Sequence, residues 1–335
     1  MIDNGDTDLA RFMHRLENRA FGSDVCFLCA RSLTQLGSTS EHVIPRWAQR
    51  RYYLWDQSIT LLNKSSIPYR YLTVPCCEEC NKYHLQPIEN LVLAASEQGA
   101  VAVRGLPKRV LFLWLGKILY GLLYREVLLP FDRSQPEQGS IVSETVLAHY
   151  VHHLRLLQEA RGKLEAVDFT PGSVFVFNTQ IPREPKLQWD FIDDINHLTI
   201  GIRIGKVGIV AALADGGAQE MSPIVPQDVF ELPLHPLQFR EVCATIAYRA
   251  TTATRTAKHI TIEGMPHKTY QLPLMGWSLK PLFEEWNAAN YAKYLAFYLD
   301  LDYSEVFFPP GNVLTYMVNE DRSFRYMPIE DTSKI

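Results

Sequence analysis

Hydrophobic and polar positions along the chain change period several times, and each change marks an element. In residues 7–20, Leu9, Phe12, Met13 and Leu16 recur at helical spacing, and Phe21-Gly22-Ser23 closes that helix. Residues 25–28 lead into a cysteine turn. Residues 41–44 read as a short strand stopped by Pro45, and the basic, aromatic stretch 46–54 as a short helix. Residues 69–74 alternate as a strand does. A helix carrying Asn81 and His84 is expected from Glu78, broken early by Pro87. The segment 108–129 is almost uniformly apolar, but Lys117, Arg125 and Glu126 interrupt it. It is therefore predicted as a buried helix ended by Pro130, and not as a membrane span.

After a polar loop, residues 143–161 predict another helix, with Ser143 as its N-cap. Strands follow at 173–177, 188–192, 197–204 and 207–213, the last two joined through Gly205-Lys206. Residues 235–250 predict a helix opened by Pro236. A strand pair at 259–263 and 269–272 and helical stretches within 280–299 complete the pattern. The expected class is α+β. A smaller N-terminal domain, residues 1–105, precedes a larger α+β domain, residues 106–335, with an antiparallel sheet packed by helices.

Composition narrows the picture only slightly. The 335 residues suit two domains, and the net charge of −4 argues against indiscriminate binding to nucleic acid. Residues 1–110 nevertheless carry 13 Lys and Arg against 11 Asp and Glu, a mild asymmetry that makes the N-terminal part the better candidate for facing phosphate. Four of the six cysteines lie in C-x-x-C pairs, which suits metal binding in a reducing compartment better than disulfides. The polar, acidic start is not a signal peptide, and a cytoplasmic location is expected.

The chemistry concentrates in one stretch. Cys26-Phe-Leu-Cys29 and Cys77-Glu-Glu-Cys80 bracket Glu41-His42-Val43-Ile44-Pro45, and Asn81 follows the last cysteine. Two such pairs read as a tetrathiolate zinc site, structural because four thiolates leave no open position. Cys76 is an alternative to Cys77, although it would leave three residues before Cys80 in place of two.

This constellation resembles the HNH endonucleases, the ββα-metal fold, over residues 22–98. The resemblance implies a zinc-stapled module that hydrolyses DNA, with His42 as general base. Glu41 and Asn81 would hold a catalytic Mg²⁺ or Mn²⁺, and His84 is a further candidate ligand. Products would carry 5′-phosphate and 3′-hydroxyl ends. Arg46, Arg50 and Arg51 are candidates for phosphate contacts and Trp47 for base stacking, against a reading of Trp47 as a core anchor.

Two positions depart from the family. Leu72 stands where the His-orienting Asn is expected, leaving Asn63 as the nearest candidate. Arg46-Trp47 replaces the usual Gly-Gly. These features resemble a bacterial branch with Glu-His-Val-Ile-Pro-x-Trp and a long C-terminal extension, for which a setting in phage defence is implied. RNA stays open as a substrate. Two other readings stand beside the nuclease: a non-catalytic zinc module that binds nucleic acid, and a defence-system component active only with a partner protein; assembly as a homo-oligomer is also open.

Overall fold

The computed structural model describes residues 13, 14, 21–34, 38–225, 227–276 and 279–329. Most of the helix expected at 7–20 lies outside these. The chain runs through strand β1 (Ser38–His42), a short helix (Arg46–Arg51), β2 (Ser58–Thr60), β3 (Ser66–Pro68) and β4 (Thr73–Cys77). Helices Gln86–Gln98, Ala100–Arg104, Lys108–Val127, Glu144–His149 and Val151–Leu156 come next. Then follow β5 (Leu164–Ala166), β6 (Ser173–Asn178), β7 (Trp189–Asp194), β8 (Thr199–Ile204) and β9 (Val207–Ala212). Helix Pro236–Thr251, β10 (His259–Ile262), β11 (His267–Gln271) and helix Ala288–Leu299 follow. The α+β class is as expected.

Two compact units form, each from separate stretches. The first comprises residues 1–93, 113–169 and 259–270; the second comprises 94–112, 170–258 and 271–335. The sequence boundary at 105/106 thus falls inside the second unit's opening segment. The strand pair expected at 259–263 and 269–272, within the C-terminal domain, falls mainly in the first unit, where β11 pairs in parallel with β5.

In the first unit, β1 and β4 pair antiparallel, with Glu41 opposite Val74 and His42 opposite Thr73. Of the predicted strand 69–74, the beginning is a 3₁₀ turn, Tyr69–Tyr71, and the strand starts only at Thr73. A wide π-helical turn, Cys80–Leu85, runs directly into helix Gln86–Gln98. Pro87 causes no break there, because it occupies the first turn of the α-helical stretch. Helix Lys108–Val127 is buried on all sides from Leu111 through Leu115 and again from Ile118 through Tyr120, as an all-round apolar helix must be. Among the described residues, no helix is long and apolar enough to cross a membrane.

The second unit is built on a four-stranded antiparallel sheet in the order β6-β9-β8-β7. Its central strands, Thr-Ile-Gly-Ile-Arg-Ile and Val-Gly-Ile-Val-Ala-Ala, are buried throughout. Gly205, at a φ of +64°, makes the tight turn between them. Helix Pro236–Thr251 starts with a capping box between His235 and Gln238, with Pro236 in its first turn. Helix Ala288–Leu299 packs against it, and residues 280–287, predicted helical, are not.

Two glycines bring helix Pro236–Thr251 onto the sheet. A Cβ at Gly208 would stand 2.4 Å from the Phe239 ring, and one at Gly201 would stand 2.5 Å from Cys243 Sγ. Phe239 and Cys243 are both buried, so neither can yield without moving the helix. We expect Gly208→Ala to destabilise the protein by about 1–3 kcal/mol. An unchanged urea midpoint would show that the helix is free to retreat.

Candidate metal centre and acid-histidine site

The four cysteines of the two C-x-x-C pairs converge. The Sγ atoms of Cys26, Cys29, Cys77 and Cys80 lie within 4.8 Å of one another, and all four residues are buried. Thiolates about 2.3 Å from a tetrahedral zinc ion have S···S edges of about 3.8 Å. Cys29 and Cys77 stand at 3.8 Å. Donor set and spacing therefore fit zinc.

Local backbone explains the convergence. Cys26 N–H bonds to Arg31 O and Ala30 N–H to Cys26 O, closing the first pair into a knuckle with Ala30 at a φ of +57°. Phe27 N–H bonds to Pro75 O, tying the knuckle to β4. The second pair leaves the end of β4 for the π turn, and Cys80 N–H points at Cys77 Sγ, 3.4 Å away.

Of the two candidates at the second pair, Cys77 ends β4, with the Cys80 amide directed at its sulfur. Cys77 joins the group, and Cys76, 4.0 Å from Cys26, is outside it. We expect Cys77→Ser to lose bound zinc and Cys76→Ser to keep it, as read by metal analysis of the purified chain. Equal zinc in both variants would contradict the assignment.

Arg31, which sequence reasoning missed, completes this centre. Its Nε lies 3.4 Å from Cys29 Sγ and its Nη2 3.9 Å from Cys77 Sγ, and it forms an ion pair with Glu79. Four thiolates around a divalent ion would leave excess negative charge, which this guanidinium is placed to offset. An arginine two residues after a cysteine was the available signal.

The acid-histidine pair has a different surrounding. Glu41 turns inward and is buried. Its Oε1 lies 2.5 Å from Lys117 Nζ, and Glu89 Oε1 lies 2.8 Å from the same nitrogen. Lys117 Nζ also donates to His42 O at 2.8 Å and approaches Val43 O at 3.4 Å. Burial opposes charge on Lys117, but the two carboxylates outweigh it and hold the ammonium above its ordinary value. For Glu41, burial pushes the carboxyl upward; Lys117 pulls it down and Glu89 pushes it up. Gly121 lets the helix approach closely enough, since a Cβ there would meet Val43 Cγ2 at 3.1 Å.

His42 presents its ring on the other side, edge-on to Trp55 with centroids 6.0 Å apart. The residue is half-buried, and its Nδ1 is enclosed without a hydrogen-bond partner. Burial, followed by the charges of Arg46, Lys117 and Arg50, pushes its pKa down to about 4. The imidazole is thus neutral across the physiological range. Arg46, Arg50 and Arg51 are exposed on the helix that follows, with the Arg46 guanidinium 5.9 Å from the Trp55 ring centre.

The remaining candidates are placed elsewhere. Asn63 does not orient His42: its amide donates to Phe131 O at 2.8 Å and its oxygen accepts from Ser65. Asn81 donates to Thr39 Oγ1 at 3.2 Å, linking the start of the π turn to β1. His84 faces Glu79 at 3.7 Å, on the side where Glu79 meets Arg31. Trp47 stacks on Trp114, centroids 6.5 Å apart, as a core anchor and not a free base-stacking ring. Glu41, Asn81 and His84 are each engaged by a different partner, Lys117, Thr39 and Glu79, and the Glu41 carboxylate already has an ammonium against it. This arrangement does not fit the divalent cation that the resemblance implies.

Glu89 and Lys117 were passed over in the sequence. A lysine inside an apolar helix needs a buried partner, and that requirement was the signal. No family model, curated protein or solved structure matches this chain.

Proposed function

We propose that the chain is an endonuclease that hydrolyses nucleic-acid phosphodiester bonds, with DNA as substrate and His42 as general base. The observation that carries this reading is the His42 imidazole. It is neutral, its Nδ1 is enclosed without a partner, and Arg46 and Arg50 act on it electrostatically.

In this reading the zinc centre fixes the knuckle and β4, and the exposed arginines attract the phosphate backbone. His42 takes a proton from water as the water oxygen bonds to phosphorus. The P–O3′ bond breaks on the opposite side of phosphorus, the leaving oxygen takes a proton from solvent, and the imidazolium returns its proton to solvent. Positive charge at Arg46 and Arg50 offsets the charge that builds on the phosphate oxygens.

Cleavage of supercoiled plasmid and single-stranded DNA by wild type and His42→Ala tests this. Loss of general-base catalysis should slow cleavage by about 10²–10⁴-fold while zinc content stays constant. Between neutral pH and about 5 the wild-type rate should stay flat. It should fall as pH drops through about 4, where the imidazole takes up a proton and loses its basicity. A zinc-loaded wild type that binds DNA without cutting it would favour the binding-module reading. The commitments of Asn63 and Asn81 to other partners speak for that second reading.

A further inference from the structure

We propose that Lys117 occupies the place of a catalytic divalent cation, so the acid-histidine site works without one. In its catalytic consequence this deepens the nuclease reading and rests on it; the binding consequence stands apart.

The surroundings of Lys117 Nζ are those of a hard cation. Four oxygens face it: Glu41 Oε1 at 2.5 Å, Glu89 Oε1 and His42 O at 2.8 Å, and Val43 O at 3.4 Å. Two carboxylates and two carbonyls are also the donor types that magnesium and calcium select. An ammonium has three N–H donors for these acceptors and carries a single positive charge. The side chains of Lys117, Glu41 and Glu89 are 3%, 9% and 15% exposed. Magnesium retains several waters in its shell, and this enclosure leaves them little room. A second cation here would stand against the ammonium, with two carboxylates to share between them. Displacing the ammonium would strand it in the core.

The position is as telling as the donor set. The lysine binds the carboxylate of Glu41 and the main-chain carbonyl of His42, the two residues of the acid-His dipeptide. It is therefore a positioning residue: it holds the strand end from behind while the His42 ring faces Trp55. The cation that would otherwise organise this dipeptide comes from helix Lys108–Val127.

The first test is manganese binding to the full-length, zinc-loaded protein, followed by electron paramagnetic resonance. Wild type should hold no manganese that depends on Glu41. Lys117→Met should gain a manganese site, and adding Glu41→Gln to that variant should abolish it. Manganese bound by wild type and lost in Glu41→Gln alone would overturn the proposal. That wild-type measurement decides even if Lys117→Met does not fold.

The second test is plasmid cleavage in buffer freed of magnesium and manganese, with zinc content verified. An unchanged rate supports the proposal, and cleavage that appears only with magnesium overturns it. Absence of cleavage under both conditions, with no Glu41-dependent manganese site, would sink the nuclease reading and leave Lys117 as the built-in cation.

Discussion

Replacing Cys77 with Ser, or stripping zinc with a strong chelator, should unfold the cysteine-bearing segments of the first unit. Structural zinc in small modules contributes about 10–16 kcal/mol at neutral pH. Ordinary domains have only about 5–15 kcal/mol of total stability, so loss of the ion exceeds what the surrounding contacts can absorb. The knuckle is short and has no helix of its own, and Arg31 would face thiols in place of charged thiolates. Hydrogen exchange should show lost protection at Cys26, Phe27, Ala30 and Leu33, whose amides bond within the knuckle or to β4. The sheet of the second unit should keep its protection. Identical exchange with and without zinc would remove the metal from the account of the fold.

The second large effect is expected at Lys117. Lys117→Met leaves two carboxylates buried without their cation. Removing one member of a buried charged set costs about 3–5 kcal/mol, mostly as the penalty on what remains. Urea unfolding should show that loss at neutral pH. The sign of the pH dependence follows from burial, which already pushes Glu41 upward in the wild type. Without the ammonium, the folded state takes up a proton at a pH where the unfolded chain does not, so the deficit should shrink as pH falls. Combining Lys117→Met with Glu41→Gln and Glu89→Gln should restore part of the stability at pH 7. A single variant as stable as wild type would mean that water already reaches the triad.

Cysteine spacing was the most legible part of the site, because C-x-x-C is a local geometric requirement of the metal. Cys77, and not Cys76, stands in the group of four. The antiparallel sheet was legible in the apolar runs of β8 and β9, and the helix after His235 in its Pro and capping residues. What stayed hidden was non-local. Glu41 and His42 were read as one site, but strand alternation turns Glu41 to a lysine 76 positions on, which no local pattern reports. Asn63 was chosen by proximity in sequence, and its amide instead closes the turn between β2 and β3 onto Phe131. β5 has only three residues, too few to show a period, and it exists because β11 pairs with it across about a hundred residues.

That parallel pairing has a consequence for biosynthesis. Chains leave the ribosome at about 5–20 residues per second, and domains commonly fold as they emerge. Here the first unit opens the chain but closes only when β11 arrives, after all four strands of the second unit's sheet have been made. Until then, β5 has neither of the two later strands of its sheet beside it. All four cysteines of the candidate metal site are synthesised well before that closing strand, so a chain stalled before residue 267 would present the complete ligand set on an unfinished unit.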